Sequence, residues 1–315
     1  MKRVVVCVLL GIIASAPRLS AQHPNSGLAQ LSELSRHGPL PQLIQAANSL
    51  LANQDLTPAD QGIVLTYLAH AYQLSGDFNK ATANYENALA IIDRDGHHPD
   101  EYAMVLGALA TLYAETGQTN AAKHLLLRSA RLLEQQNDHA QAAMIWNDLA
   151  TLAADEHSRR DAHKYMARSL AQSQLAPDFT SDQIAALTST QASIAELDGD
   201  PRAAVAGYQH ALALWKQTHE DQLPETAWLY VLLGGAYLQS GDIASARVTT
   251  ARGLSLLEAG SGRQSPRYVS AELAYAKILD ASGASDQAFK LRTEAAAAAP
   301  AAQRTPSQIS IFALR

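Results

Sequence analysis

The sequence predicts an all-α protein, an α-solenoid of stacked antiparallel helix hairpins. Three observations lead there. The stretch Gly62–Leu89, GIVLTYLAHAYQLSGDFNKATANYENAL, places Leu65, Leu68, Ala69 and Tyr72 on one helical face. Gly76 breaks that pattern, and Ala81, Tyr85, Ala88 and Leu89 then share one face of a second helix, which together make an αα-hairpin. The same unit returns five times. Its turn position is Gly76, Gly117, His157, Gly199, Gly241 and Gly283, in steps of 41, 40, 42, 42 and 42 residues. Small residues accompany every turn at fixed offsets. Seven residues before it stand Ala69, Ala110, Ala150, Ala192, Gly234 and Ala276; five after it stand Ala81, Ala122, Ala162, Ala204, Ala246 and Ala288. Small side chains at both places let the two helices of a hairpin approach closely. Leu68, Leu109, Leu149 and Leu233, with Tyr72, Tyr113 and Tyr237, and Tyr85 and Tyr208, fill the space around them.

Residues 1–21 read as a signal peptide. Lys2 and Arg3 form its positive end, and Val4–Ile13 is an apolar run of ten. A bilayer span needs about 20 such residues. Small residues precede a cut after Ala16 or after Ala21. Pro17 disfavours the first, so cleavage is expected after Ala21. Cys7 lies too early in the apolar run to accept a lipid. Cleavage would remove three cationic residues and no acid, taking the formal net charge from −6 to −9, and would remove the single cysteine. The mature chain would then have no disulfide and no thiol chemistry, and its stability must come from packing.

Residues 22–56 are expected to supply N-terminal capping helices, over Gly27–Arg36 and Leu40–Asn53, because the end repeat of a stack has a face with no neighbour. Residues 57–300 are expected to hold about six repeats. Thr57-Pro58 opens the first, with Thr57 as N-cap and Pro58 at the first helical position. Pro99, Pro224 and Ser265-Pro266 repeat the device, so first helices should run some 15–17 residues. Thr180-x-x-Gln183 reads as a capping box, and Asp77, Asp200 and Asp242 as caps of second helices. Residues 301–315 form a tail. Its end, Ile309–Arg315 or ISIFALR, reads either as a frayed terminus or as a short strand or hook docked on a neighbour or on the array.

The first copy reads L-A-x2-Y and then G-D-F-x2-A-x3-Y-x2-A-L, which resembles the tetratricopeptide repeat (TPR). The resemblance runs from Thr57 to Pro300. The period exceeds the roughly 34 residues of the common form. It is similar to the long-helix variety of kinesin light chains, where His-Pro-Asp also precedes a repeat, as His98-Pro99-Asp100 does here. Departures are His157 for Gly, Gln191 for a large apolar residue, and Thr250 and Arg292 where the fifth and sixth copies would carry large apolar residues.

No motif points to catalysis. Phosphate-binding loops, G-x-S-x-G, H-E-x-x-H and a retained cysteine nucleophile are all missing from the sequence. His97, His98, Asp100 and Glu101 could ligate a metal, but acids at a helix start serve the helix itself. His157 and His163 fall on different sides of a helix, and His219-Glu220-Asp221 is a charged connector. The chain is therefore expected to be no enzyme, with no cofactor and no metal. A mature charge of −9 without a basic stripe argues against nucleic acid, and nothing argues for stable membrane insertion after cleavage.

The leader implies export to the periplasm or the extracellular space, and the repeat resemblance implies a scaffold that binds a protein or peptide partner on its concave face. The alternatives are an assembly component of envelope or secretion machinery, or a regulatory arm of an enzyme complex. In the family, first helices line that face with residues thirteen, ten, six, and three or two before each turn. Carried over, these give partner-binding candidates Thr66, His70, Thr111, Asn147, Thr151, Ser189, Ser193, Trp228 and Leu238. Glu115, Asp155 and Glu196 would form an acidic edge. Trp228 is expected to anchor an extended peptide, with packing on the connector around Trp215 and Leu223 as the other reading.

Overall fold

The hairpins are set by their turns. In the computed structural model, Gly76, Gly117, Gly199, Gly241 and Gly283 lie in the left-handed region at φ 82°, 79°, 85°, 86° and 81°, and His157 joins them at φ 58°. Glycine takes this conformation without steric cost. Asn137, also at φ 58°, marks a turn that the periodic marker passed over, because it joins two repeats instead of two helices of one hairpin. Side chains cap the helices that follow. Asp77, Asp138, Asp200 and Asp242 accept from the backbone N–H of Lys80, Gln141, Ala203 and Ser245 at 3.2, 3.1, 3.0 and 3.0 Å. Thr57 accepts from the Asp60 N–H at 3.1 Å and Ser265 from the Tyr268 N–H at 3.2 Å. Thr180 and Gln183 make the capping box.

The structure describes residues 26–37, 39–52, 56–95, 98–218, 224–263 and 265–298. These form α1 (Ser26–His37), α2 (Leu40–Leu51), α3 (Pro58–Leu74), α4 (Phe78–Asp95), α5 (Pro99–Glu115), α6 (Thr119–Gln135) and α7 (His139–Asp155). They continue with α8 (Arg159–Leu175), α9 (Ser181–Asp198), α10 (Pro201–Thr218), α11 (Pro224–Ser240), α12 (Ile243–Ser261), α13 (Pro266–Ala281) and α14 (Ser285–Ala298). Among the described residues every element is a helix. The fold is an all-α helical repeat, with odd helices from α3 onward as first helices and even ones as second. The expected signal peptide, the 301–315 tail, His97 and the 219–221 connector lie outside the described residues.

The chain forms two compact units. Among the described residues, the N-terminal unit comprises residues up to Leu152 with Ala167–Phe179, and the C-terminal unit comprises Ala153–Met166 and the residues from Thr180 onward. In the N-terminal unit, Leu28 and Leu31 of α1 and Leu43 and Ala47 of α2 pack on Ile63, Val64, Leu68 and Ala71 of α3. The other face of α3 joins α4 and α5 through Leu65, Ala69, Ala81, Tyr85, Ala88, Ile92, Val105 and Leu109. In the C-terminal unit, Tyr208 and Leu212 of α10 pack on Leu229 and Leu233 of α11, and Trp228 of α11 packs on Leu254 and Leu257 of α12 and Tyr268 of α13.

The two small positions are buried in every repeat where they are alanine, at 2 % exposure or less. A third lies twelve residues beyond each turn: Ala88, Ser129, Ser169, Ala211, Gly253 and Ala295. It is legible in the sequence once the register is known. Ser129 donates to the Ala103 carbonyl at 2.6 Å and Ser169 to the Ala143 carbonyl at 2.7 Å, which ties a second helix to its own partner near that helix's start. A Cβ on Gly253 would come within 2.7 Å of the equivalent carbonyl, that of Ala227.

The missing apolar residue of the fifth copy has a local explanation. Thr250 stands where Tyr85 and Tyr208 stand in other copies, and a Cβ on Gly234 would lie 1.9 Å from its Oγ1. Gly234 and Thr250 are matched: the smallest residue faces a short one. Gly234→Ala should therefore destabilise by about 1–3 kcal/mol through overpacking. The neighbouring Gly235→Ala, whose Cβ would meet nothing within 4 Å, should instead stabilise by up to about 1 kcal/mol. Thermal or denaturant unfolding of the two variants checks the contrast.

Candidate functional site

The first helices of a unit lie side by side, α3 against α5 and α11 against α13. Five of the nine candidate residues are on first helices of the N-terminal unit. Thr66 and Asn147 stand ten residues before their turns, with Gly107 between them in register; His70, Thr111 and Thr151 stand six before theirs. The three threonine hydroxyls donate to their own helices: Thr66 to the Gly62 carbonyl at 2.8 Å, Thr111 to Gly107 at 3.1 Å and Thr151 to Asn147 at 3.1 Å. With its proton engaged, each hydroxyl offers only lone pairs outward. His70 and Thr111 are buried at 8 % and 2 % exposure.

Asn147 differs from its neighbours. It is buried, and its carboxamide oxygen has no hydrogen-bond partner. A buried acceptor left unmade costs about 1–3 kcal/mol.

In three copies the residue three before the turn is engaged by the array itself. Gln73 donates to Glu115 Oε2 at 2.8 Å and its carbonyl oxygen accepts from the Tyr85 hydroxyl at 3.1 Å. Burial, and then the charge of Glu115, push the Tyr85 phenol well up, so it stays protonated and donates. The same register carries the link from Tyr208 to Glu196 at 3.5 Å and the ion pair of Arg292 with Asp280. Gln73, and Glu196 of the expected acidic edge, are thus bonded within or between hairpins. Sequence spacing cannot reveal this, because the partner nine residues beyond the turn decides it.

The remaining candidates are in the C-terminal unit. Ser189 is buried and Ser193 half-buried on α9; Leu238 is half-buried on α11. Trp228 is 7 % exposed and packed among Leu254, Leu257, Tyr268 and Ala271. Its ring fills the apolar core between three helices. An open anchor would need it exposed, and the hairpin core takes it because α13 supplies a facing Tyr268. Elsewhere, His98 Nδ1 approaches Glu101 Oε1 at 3.6 Å, and His163 contacts Asp198 at 2.9 Å. No group of three potential metal ligands occurs among the described residues.

One buried acid belongs to no motif in the sequence. Asp148 is 3 % exposed, and burial alone pushes its carboxyl up to about 8. The signal was available: the other copies place Tyr67, Ala108, Thr190, Leu232 and Ala274 at its register, none of them acidic. The raised value means that the folded chain keeps a proton which the unfolded chain releases near pH 4. Stability should therefore fall as pH rises from about 4 to about 8 and level off above, by roughly 1.4 kcal/mol per pH unit at the steepest. Asp148→Asn should match the parent below pH 4 and unfold at higher denaturant than the parent at pH 8. Denaturant midpoints across that range check it.

Comparison with known proteins places this geometry in a wider group. A family model for the tetratricopeptide repeat matches residues 60–135 and 183–259. No curated protein sequence matches the chain. Among solved structures, the chain is similar to NprR in complex with its cognate peptide NprX, at 11 % identity over 95 % of this chain and 85 % of that one, with a TM-score of 0.66. It is similar to a Rap protein complexed with Competence and Sporulation Factor, at 14 % identity, 96 % and 88 % coverage and a TM-score of 0.63. A tetratricopeptide repeat protein from Parabacteroides merdae matches at 15 % identity, 95 % and 99 % coverage and a TM-score of 0.52. At these identities the likeness shows the fold.

Proposed function

The chain carries tetratricopeptide repeats, and on that premise we propose that it is an exported scaffold, periplasmic or extracellular, that binds an extended peptide or protein segment along its first helices. Asn147 carries the reading. The buried carboxamide oxygen of Asn147 has no hydrogen-bond partner, and a main-chain N–H of a bound segment that moves its covering neighbours aside would supply one. Gly107, in the same register on the preceding first helix, presents no side chain there. NprR and the Rap protein, whose fold the chain shares, were each solved with a bound partner. The export reading rests on residues 1–21, with their cationic start and apolar run, and on the single cysteine lying within them. No helix among the described residues is long and apolar enough to cross a membrane.

A partner captured by crosslinking in the native host gives the binding test. Asn147→Ala should weaken that complex about tenfold while leaving the melting temperature unchanged or higher, since it removes an unpaired buried acceptor. Trp228→Ala should behave oppositely, losing about 3–5 kcal/mol of stability as a core truncation. Unchanged affinity in Asn147→Ala would remove this reading. For export, N-terminal sequencing of the native protein should give a chain beginning at Gln22, and an intact Met1 would overturn the assignment.

A further inference from the structure

Each second helix presents one face to the first helix of the next repeat. The positions six and thirteen residues beyond the turn lie two turns apart on that face. In the fourth repeat they are Val205 and Leu212. Leu212 belongs to the cluster that α11 closes with Leu229, Leu233 and Ala236, and Val205 packs against it. In the fifth repeat Leu254 is covered in the same way, in a cluster with Tyr268 and Ala271 of α13. On α14 the equivalent residues are Phe289 and Ala296. Both are exposed, Phe289 at 69 %. The other face of α14 is already in use, with Ala288 and Leu291 packed on Ala276 and Leu279 of α13. The opposite end of the array is covered by α1 and α2. The face of α14 equivalent to the one that α10 and α12 bury against a following first helix is therefore uncovered among the described residues.

The 17 residues beyond α14 end in ISIFALR, with Ile309, Ile311, Phe312 and Leu314 as large apolar side chains. We propose that Ile309–Arg315 folds back onto the Phe289–Ala296 face of α14 and closes the array in place of a next first helix. The reach suffices. Phe289 lies nine residues before the end of α14, about 13 Å along the helix axis. The ten residues 299–308 can extend to about 33 Å. Their Ala, Gln, Thr, Pro and Ser content suits a tether, and the apolar segment follows it at the distance the return needs. A second copy of the chain could cover the same face, and the test separates the two.

Hydrogen exchange on the full-length chain should show the amides of 309–315 slowed at least tenfold relative to an unstructured peptide, at any protein concentration. Phe289→Asp, a change at an exposed site, should abolish that protection, and Ile311→Asp should do the same, while amides in α3–α6 stay as in the parent. In a Cys7→Ser background, Phe289→Cys with Phe312→Cys should form a disulfide within monomers on mild oxidation. Exchange of 309–315 at the unstructured rate in the parent would overturn the proposal. So would protection that survives Phe289→Asp, or protection and crosslinking that vanish on dilution, which would assign the face to a second copy.

Discussion

Two helices meet at a left-handed turn and close on each other over three small side chains, and the rest of the fold follows from that contact. Alanine, serine or glycine seven before, five after and twelve after the turn brings the backbones near enough for Ser129 and Ser169 to reach carbonyls of the partner helix. Once the hairpin is that tight, large residues can only point outward from it, toward the next hairpin. Leu65, Tyr85, Ile92 and Leu109 then meet in one apolar cluster that joins one repeat to the next. Burial of this kind contributes about 25 cal/mol per Å², and it joins the hairpins of each unit.

The same tightness explains the departures. His157 keeps the turn conformation despite its side chain, because the helices on both sides already determine the path of the chain. Thr250 can replace a tyrosine because Gly234 opposite it has no side chain. Arg292 can replace one at the end of the array because Asp280 lies in the register that Gln73 and Glu196 use elsewhere. In each case a change on one helix is answered by the residue that faces it.

Polar residues on the first helices divide by whether the fold already satisfies them. The threonines bond to their own helices, and Gln73 joins Tyr85 to Glu115. Asn147 and Asp148 sit side by side, both buried; the first keeps a free acceptor and the second keeps a proton. A packed helical layer that leaves an acceptor unmade has lost stability at that point.

The period, the turn residues, the caps and two of the three small positions were legible in the sequence alone, because each is a local requirement: a positive φ, a free N–H, a close backbone contact. Helix type and hairpin pairing follow from them. The sequence also marked the leader-like start and the apolar ISIFALR end as segments apart from the array. What only the tertiary structure decided is which side chains remain available. Trp228 sits at a register that faces a ligand by family resemblance, yet Leu254, Leu257 and Tyr268 enclose it. Asp148 looks like any helix-face acid in the sequence, yet it is almost wholly buried. Periodicity assigns a residue to a face of its own helix. Whether that face meets water, a partner or a neighbouring helix depends on residues tens of positions away, and their placement is a property of the packed chain.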